Sequence, residues 1–176
     1  MRPVPDCKLC PLCAGRTKIV LPSGNLGSNI AFVGEAPGEN EDIEGKPFVG
    51  RAGKILDEIM LNAGVRREDI MITNTVKCRP PNNRDPTDEE MRACRPFLED
   101  ELANCKVVVG LGRSACRDLI GYEGSMFKIA NTLQIFTIKG KDILFIPTYH
   151  PAACIYGDDA RRGLRQTMEK IKEYMS

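Results

Sequence analysis

The chain holds a single histidine, His150, in the segment Tyr149-His150-Pro151-Ala152, directly behind an apolar run. Any step that needs an imidazole must use it. A histidine at a strand exit can donate a hydrogen bond to negative charge as it develops on a leaving group. Asn74 closes another short apolar run and opens Asn74-Thr75-Val76-Lys77-Cys78-Arg79-Pro80-Pro81. Its amide carries both a donor and an acceptor, so an oriented Asn74 reads a planar edge that offers one of each and refuses the reversed edge. Phe48 stands in Gly45-Lys46-Pro47-Phe48-Val49-Gly50-Arg51-Ala52-Gly53, where an aromatic face can stack on a flat ring. The pentapeptide Gly34-Glu35-Ala36-Pro37-Gly38 follows a third apolar run. Its glycines let backbone approach a ligand closely, and its amides can bind a polar ring or an anion. Glu41 and Asp42 come next. Each motif also has a plain structural use: a turn at 34–38, a core Phe48, a capping Asn74, a surface His150, solvated acids at 41 and 42.

Eight cysteines is a high count for 176 residues. The N-terminus lacks the apolar run of a signal peptide, so the expected compartment is cytoplasmic. Thiols there serve as ligands or buried side chains rather than disulfides. Cys7 and Cys10 form a Cys-x-x-Cys pair, and Cys78 and Cys94 form a wider one. Four such thiolates suit a 4Fe-4S cluster or a structural zinc ion, and spacing alone leaves both open. Cys13 is an ambiguous further ligand; Cys105, Cys116 and Cys154 read as buried thiols. Arg79, inside the Asn74 motif, and Arg84, just beyond it, read as phosphate contacts or solvated charges. Arg161, Arg162 and Arg165 form a second basic cluster or a solvated helix face. The net charge of +1 argues against coating nucleic acid through bulk charge and leaves room for a local basic groove.

The elements that must position these residues are legible as a pattern. Short apolar runs at 30–33, 70–73, 107–109 and 143–146 read as buried parallel strands. Between them, Ile55, Leu56, Ile59 and Met60 repeat at helix spacing. Thr87-Asp88-Glu89-Glu90 is a capping box, opening a helix with Met91, Cys94, Leu98 and Leu102 on one side. Further helices are expected from about 113 and from about 159 to 174, with a hairpin or irregular β-segment near 127–137. Strand–helix alternation predicts a single α/β domain over residues 1–176, with a parallel sheet covered on both faces. Its site should lie in the loops beyond the C-terminal strand ends. No run is long and apolar enough to cross a membrane.

Taken together and in this order, the motifs resemble family 4 uracil-DNA glycosylases. The likeness runs from about residue 7 to residue 151. It rests on 34–38, on Pro47-Phe48-Val49-Gly50, on Asn74 with Lys77-Cys78-Arg79-Pro80-Pro81, and on His150-Pro151. The resemblance implies a three-layer αβα sandwich around a central four-stranded parallel sheet. It implies removal of uracil from DNA, leaving an abasic site for base excision repair. Glu35, Ala36 and Pro37 are then expected to hold the uracil, Phe48 to stack on it, Asn74 to read its edge, and His150 to stabilise its leaving charge. The resemblance, not the spacing, assigns Cys7, Cys10, Cys78 and Cys94 to a 4Fe-4S cluster.

Two departures stand out. In the best-known glycosylase class an aspartate fills the place of Ala36 and orients the attacking water; alanine cannot. Glu41 is the first candidate for that task, and Glu35 the second. Many relatives carry an arginine six residues after the histidine, where this chain has Tyr156. A DNA-wedging loop here would rest on Ile155 and Tyr156. The expected partner is uracil-containing DNA, single- or double-stranded, with replication or repair proteins as candidate further partners and a monomer as the expected state. Two other classes remain on the sequence: an inactive nucleic-acid-binding module with structural zinc, and a nucleotide-processing hydrolase. The second lacks a Walker-type phosphate loop here.

Overall fold

The structure, a computed structural model, describes residues 2–3 and 5–175. In chain order its elements are β1 (Ser23–Gly24), β2 (Ile30–Gly34), α1 (Glu39–Glu44), α2 (Arg51–Asn62), β3 (Met71–Asn74), α3 (Asp88–Leu102), β4 (Val107–Leu111), α4 (Arg113–Ile120), α5 (Met126–Ile129), β5 (Gln134–Ile138), β6 (Lys141–Thr148) and α6 (Asp158–Lys172). Short 3-10 turns add Pro11–Ala14, Arg67–Asp69, Pro81–Asn83 and Pro151–Ile155.

The sheet order is β1-β3-β2-β4-β6-β5. The four expected strands β3, β2, β4 and β6 pair in parallel at its centre. The expectation of a four-stranded sheet is corrected at the margins, because β1 and β5 add one antiparallel strand to each edge. The strand β1 was hard to read in the sequence, while β5 realises the hairpin or irregular β-segment expected near 127–137. The first has only two residues, and the second alternates exposed and buried side chains beside a short helix, α5.

Alternation along the strands sorts the core into two layers. Ile30, Phe32, Ile72, Val107, Val109 and Ile146 face Leu56, Ile59, Met60, Leu164, Met168 and Ile171, which belong to α2 and α6. Ala31, Val33, Met71, Val108 and Phe145 face Leu98, Leu102, Ala115, Cys116 and Leu119, from α3 and α4. The αβα sandwich follows from strands that are apolar on both faces. Thr87 caps α3 through both bonds of the box: its hydroxyl accepts from the Glu90 amide at 3.2 Å, and the Thr87 amide donates to Glu90 Oε1 at 2.9 Å. A third, smaller apolar cluster lies to one side, where Leu12, Val76, Cys78, Met91, Cys94 and Phe97 meet.

Because the central strands are parallel, their C-terminal ends share one edge. Gly34, Asn74, Leu111 and Thr148 end there, and the loops that follow carry the residues singled out above.

Candidate active site

A pocket of about 310 Å³ opens at that edge. Glu35, Ala36, Pro37, Glu41, Phe48, Asn74, Arg84 and His150 all line it. Its size lies at the lower end of the range for small-molecule sites, as suits a single heterocycle.

Glycine allows the strand ends to close on one another. A Cβ on Gly34 would fall 2.5 Å from Asn74 Oδ1 and 2.5 Å from Phe48 Cζ. Asn74 is buried, and its carbonyl accepts from Lys77 Nζ at 2.7 Å. Lys77 is itself buried, and it also donates to Thr73 Oγ1 and Glu101 Oε1. That ion pair ties the strand exit to α3. Among the described residues the Asn74 side-chain amide has no hydrogen bond, so its donor and acceptor are free for a ligand. Phe48 has a positive φ of 53°, and its ring centroid lies 5.7 Å from that of His150.

His150 caps the turn Pro151–Ile155, with Nδ1 accepting from the Ala152 amide at 3.1 Å. An accepting Nδ1 leaves the proton on Nε2. Burial pushes the imidazole pKa down to about 4, against a weaker upward pull from Glu41. His150 is therefore a neutral donor at physiological pH.

The Glu41 carboxylate is a backbone clamp. Oε1 accepts from the Gly38 amide at 2.9 Å, while Oε2 accepts from Val49 at 2.9 Å and Gly50 at 2.7 Å. It thus fixes the Phe48 loop to the start of α1. Glu35 is held differently. Ser114 Oγ, in the first turn of α4, donates to its Oε2 at 2.6 Å. Burial raises the Glu35 pKa, the neighbouring Asp85 raises it further, and the serine bond opposes them.

The four cysteines of the two pairs come together around a separate apolar cavity, with Leu9, Ile19 and Phe97 among its walls. Cys13 does not line it. Among the described residues, no three candidate ligands are already drawn to a common metal-ion point. The donor set nonetheless fits a thiolate-bound group: the walls supply four thiols and no carboxylate or imidazole. Arg16 Nη1 also lies 3.6 Å from Cys78 Sγ and 2.6 Å from the Cys7 carbonyl, and such donors to sulfur accompany iron–sulfur ligation.

Residues 21–173 match the family described as the Uracil DNA glycosylase superfamily. The chain belongs to that superfamily. It is 43% identical to the type-4 uracil-DNA glycosylase of Sulfurisphaera tokodaii over 96% of this chain and 80% of that protein. The type-4 enzyme of Thermotoga maritima is 44% identical over 98% of this chain and 91% of its own length. A type-5 uracil-DNA glycosylase of Thermus thermophilus is 32% identical over 67% of this chain. The likeness to type 4 therefore extends over the cysteine-bearing N-terminus as well as the pocket.

The glycosylase fold places the DNA-contact candidates unevenly. Tyr156 is 90% exposed, just beyond the His150 turn. Arg79 is half-buried, and its Nε donates to Asn83 Oδ1 at 2.8 Å. Arg84 lines the pocket but forks onto buried Glu90 with two bonds of 2.8 Å, so it also braces the loop against α3. Arg161 pairs with Glu58 and Arg162 with Asp159, which draws charge out of the second basic cluster. Among the described residues, no helix is long and apolar enough to cross a membrane.

Sequence reasoning gave no role to several residues that shape this site. Asn83, at positive φ, and Ala152 both line the pocket. Lys77 and Ser114 act from behind it. The available signals were weak: Pro81-Asn82-Asn83 marks a turn that tolerates left-handed backbone, while a lysine inside a cysteine motif shows nothing of its burial.

Proposed function

We propose that this chain hydrolyses the N-glycosidic bond of deoxyuridine in DNA, releasing uracil and leaving an abasic site. The observation that carries the reading is the convergence of Asn74, Phe48 and His150 on one pocket, with His150 Nδ1 already occupied by the Ala152 amide so that Nε2 is left as the donor. The target nucleotide is flipped out of single- or double-stranded DNA at a cost of roughly a few kcal/mol, least where it is mispaired or unpaired. Phe48 stacks on the uracil, and the Asn74 amide reads its N3–H and O4, an edge that cytosine reverses. Backbone around Glu35, Ala36 and Pro37 holds the ring.

As the bond from N1 to C1′ breaks, its electron pair moves onto the uracil and the sugar gains oxocarbenium character. His150 Nε2–H hydrogen-bonds O2 of the departing anion without giving up its proton. A preorganised donor of this kind is worth about 10²–10³ in rate. Water then adds to C1′ and loses a proton to solvent. Glu41 holds that water, supported by the unequal loading of its carboxylate. Oε1 accepts one backbone bond where Oε2 accepts two, leaving Oε1 a lone pair. Glu35 is second to it, because its raised pKa makes it the poorer acceptor.

Cys7, Cys10, Cys78 and Cys94 hold a 4Fe-4S cluster. Four thiolates would suit a zinc ion as well, and the reading of a cluster rests on the likeness to type-4 uracil-DNA glycosylases. Bound there, it supplies iron–thiolate cross-links among the N-terminal segment, the Cys78 loop and α3. Arg79, Arg84 and Tyr156 face the DNA, with Tyr156 as the wedge. The protein acts as a monomer in the cytoplasm: one chain completes the pocket, and unpaired thiols suit a reducing compartment.

The test is excision from an oligonucleotide carrying one uracil, read as alkali-labile strand breaks, with thymine at the same position as control. Cleavage at uracil only, strongly reduced by His150→Ala, is the expected outcome. An iron-loaded, folded protein that leaves uracil in place would overturn the enzymatic reading and favour a binding module.

A further inference from the structure

The Phe48 backbone occupies the left-handed region, φ 53°, which a bulky residue adopts only when its surroundings force it. Two charged side chains supply that force from opposite sides. Glu41 takes the amides of Val49 and Gly50. Arg67 takes the carbonyls: Nη1 donates to the Pro47 oxygen at 3.2 Å, and Nη2 to the Phe48 oxygen. Arg67 Nε in turn donates to Asp57 Oδ1 on α2 at 2.5 Å. Gly53, one helical turn before Asp57, leaves room for the carbonyl; a Cβ there would meet the Phe48 oxygen at 2.0 Å. Arg67 lies in the turn before β3 and does not line the pocket. Its planar fork suits two adjacent carbonyls and a carboxylate at once, a geometry that lysine cannot copy.

We infer that Arg67, oriented by Asp57, is a positioning residue that fixes the Phe48 ring at the stacking angle the flipped base requires. It acts on excision only through that ring. The inference rests on the reading of Phe48 as the stacking platform.

A double-mutant cycle separates the two ideas. Single-turnover excision from a uracil oligonucleotide is measured for the native chain, Phe48→Ala, Arg67→Met and the double variant. The expected result is that Arg67→Met slows excision by about tenfold to 10²-fold, as misplacement of a substrate-contacting group does. In the Phe48→Ala background it should change the rate by less than about twofold, because there is no ring left to position. Equal loss in both backgrounds would show a general structural role and overturn the inference. So would an Arg67→Met protein as fast as native beside a slow Phe48→Ala. A Phe48→Ala protein as fast as native would instead refute the stacking platform, and this role with it. Should Arg67→Met fail to fold, Asp57→Asn keeps the guanidinium and runs the same cycle, with a smaller loss expected in the same pattern.

Discussion

The pocket and the cysteine cavity both draw on the segment from Asn74 to Pro80 and are built in opposite ways. The pocket is held by hydrogen bonds of its own: three amides on Glu41, the Asn74 carbonyl on Lys77, an amide on His150. Those bonds fix its groups in position, as the proposed stabilisation of a leaving anion demands. The cysteine corner has little of this kind. Among the described residues, the backbone bonds within 7–16 are local turns, Cys13 to Cys10 and Gly15 to Leu12. Arg16 reaches across to Cys7 and Cys78. Burial pushes the Cys94 thiol pKa up to about 11 and lifts those of Cys10 and Cys78, so a metal group binding there must displace thiol protons. The pocket is tied together by its own hydrogen bonds; the cysteine corner would depend on the cluster proposed for its sulfurs.

The sharpest break between them is Cys94→Ala. If Cys94 is a ligand of the proposed cluster, the change should cost bound iron and lower Tm by roughly 10 °C, the scale of a lost metal ligand in a domain of this size. Visible absorbance and thermal unfolding check it. Full iron content at an unchanged Tm would sink the ligand assignment. His150→Ala should do the reverse, keeping iron and cooperative unfolding while slowing single-turnover excision by about 10²–10³.

Acidity probes the same histidine. Its folded pKa, about 4, lies below the unfolded value of roughly 6.5. Between these the unfolded chain binds the extra proton, so this contribution to stability is fully present above about pH 6.5 and is lost as pH falls toward 4. Denaturant titrations of the native chain should lose, over that window, a component that the His150→Ala chain lacks. The excision rate should show no inflection near 6.5, because the His150 imidazole is already neutral there; a step would contradict the proposed donor.

Gly34→Ala tests close approach. The added methyl must displace Asn74 or Phe48, with an expected stability loss of about 1–3 kcal/mol and excision slowed about tenfold or more, while iron content is unchanged. The smallest effect belongs to Tyr156→Ala. The side chain is exposed, so stability should shift by less than about 0.5 kcal/mol. Excision from duplex should fall by up to about tenfold and from single strands hardly at all; equal losses on both would remove the wedge.

Much of this was legible in one dimension. Continuous apolar runs fix buried parallel strands, because only a sheet covered on both faces needs them. Parallel strands put their exits on one edge, which is why the sequence alone groups Gly34, Asn74 and His150. The capping box at Thr87 is local and came out as written. The edge strand β1 did not, since two residues carry no periodic signal, and β5 was legible only as a hairpin or irregular β-segment near 127–137, because its mixed burial blurs the alternation.

The sequence by itself determined the residue types at the site, the parallel core and the pool of thiols, because these follow from local chemistry and period. Only the tertiary structure decided which thiols share a cavity and leave Cys13 outside. The same holds for His150 as a neutral Nε2 donor, for Glu41 as a clamp on three amides, and for Arg67 and Lys77 as the braces behind Phe48 and Asn74. Those outcomes depend on burial and on partners distant along the chain, and neither is encoded in spacing.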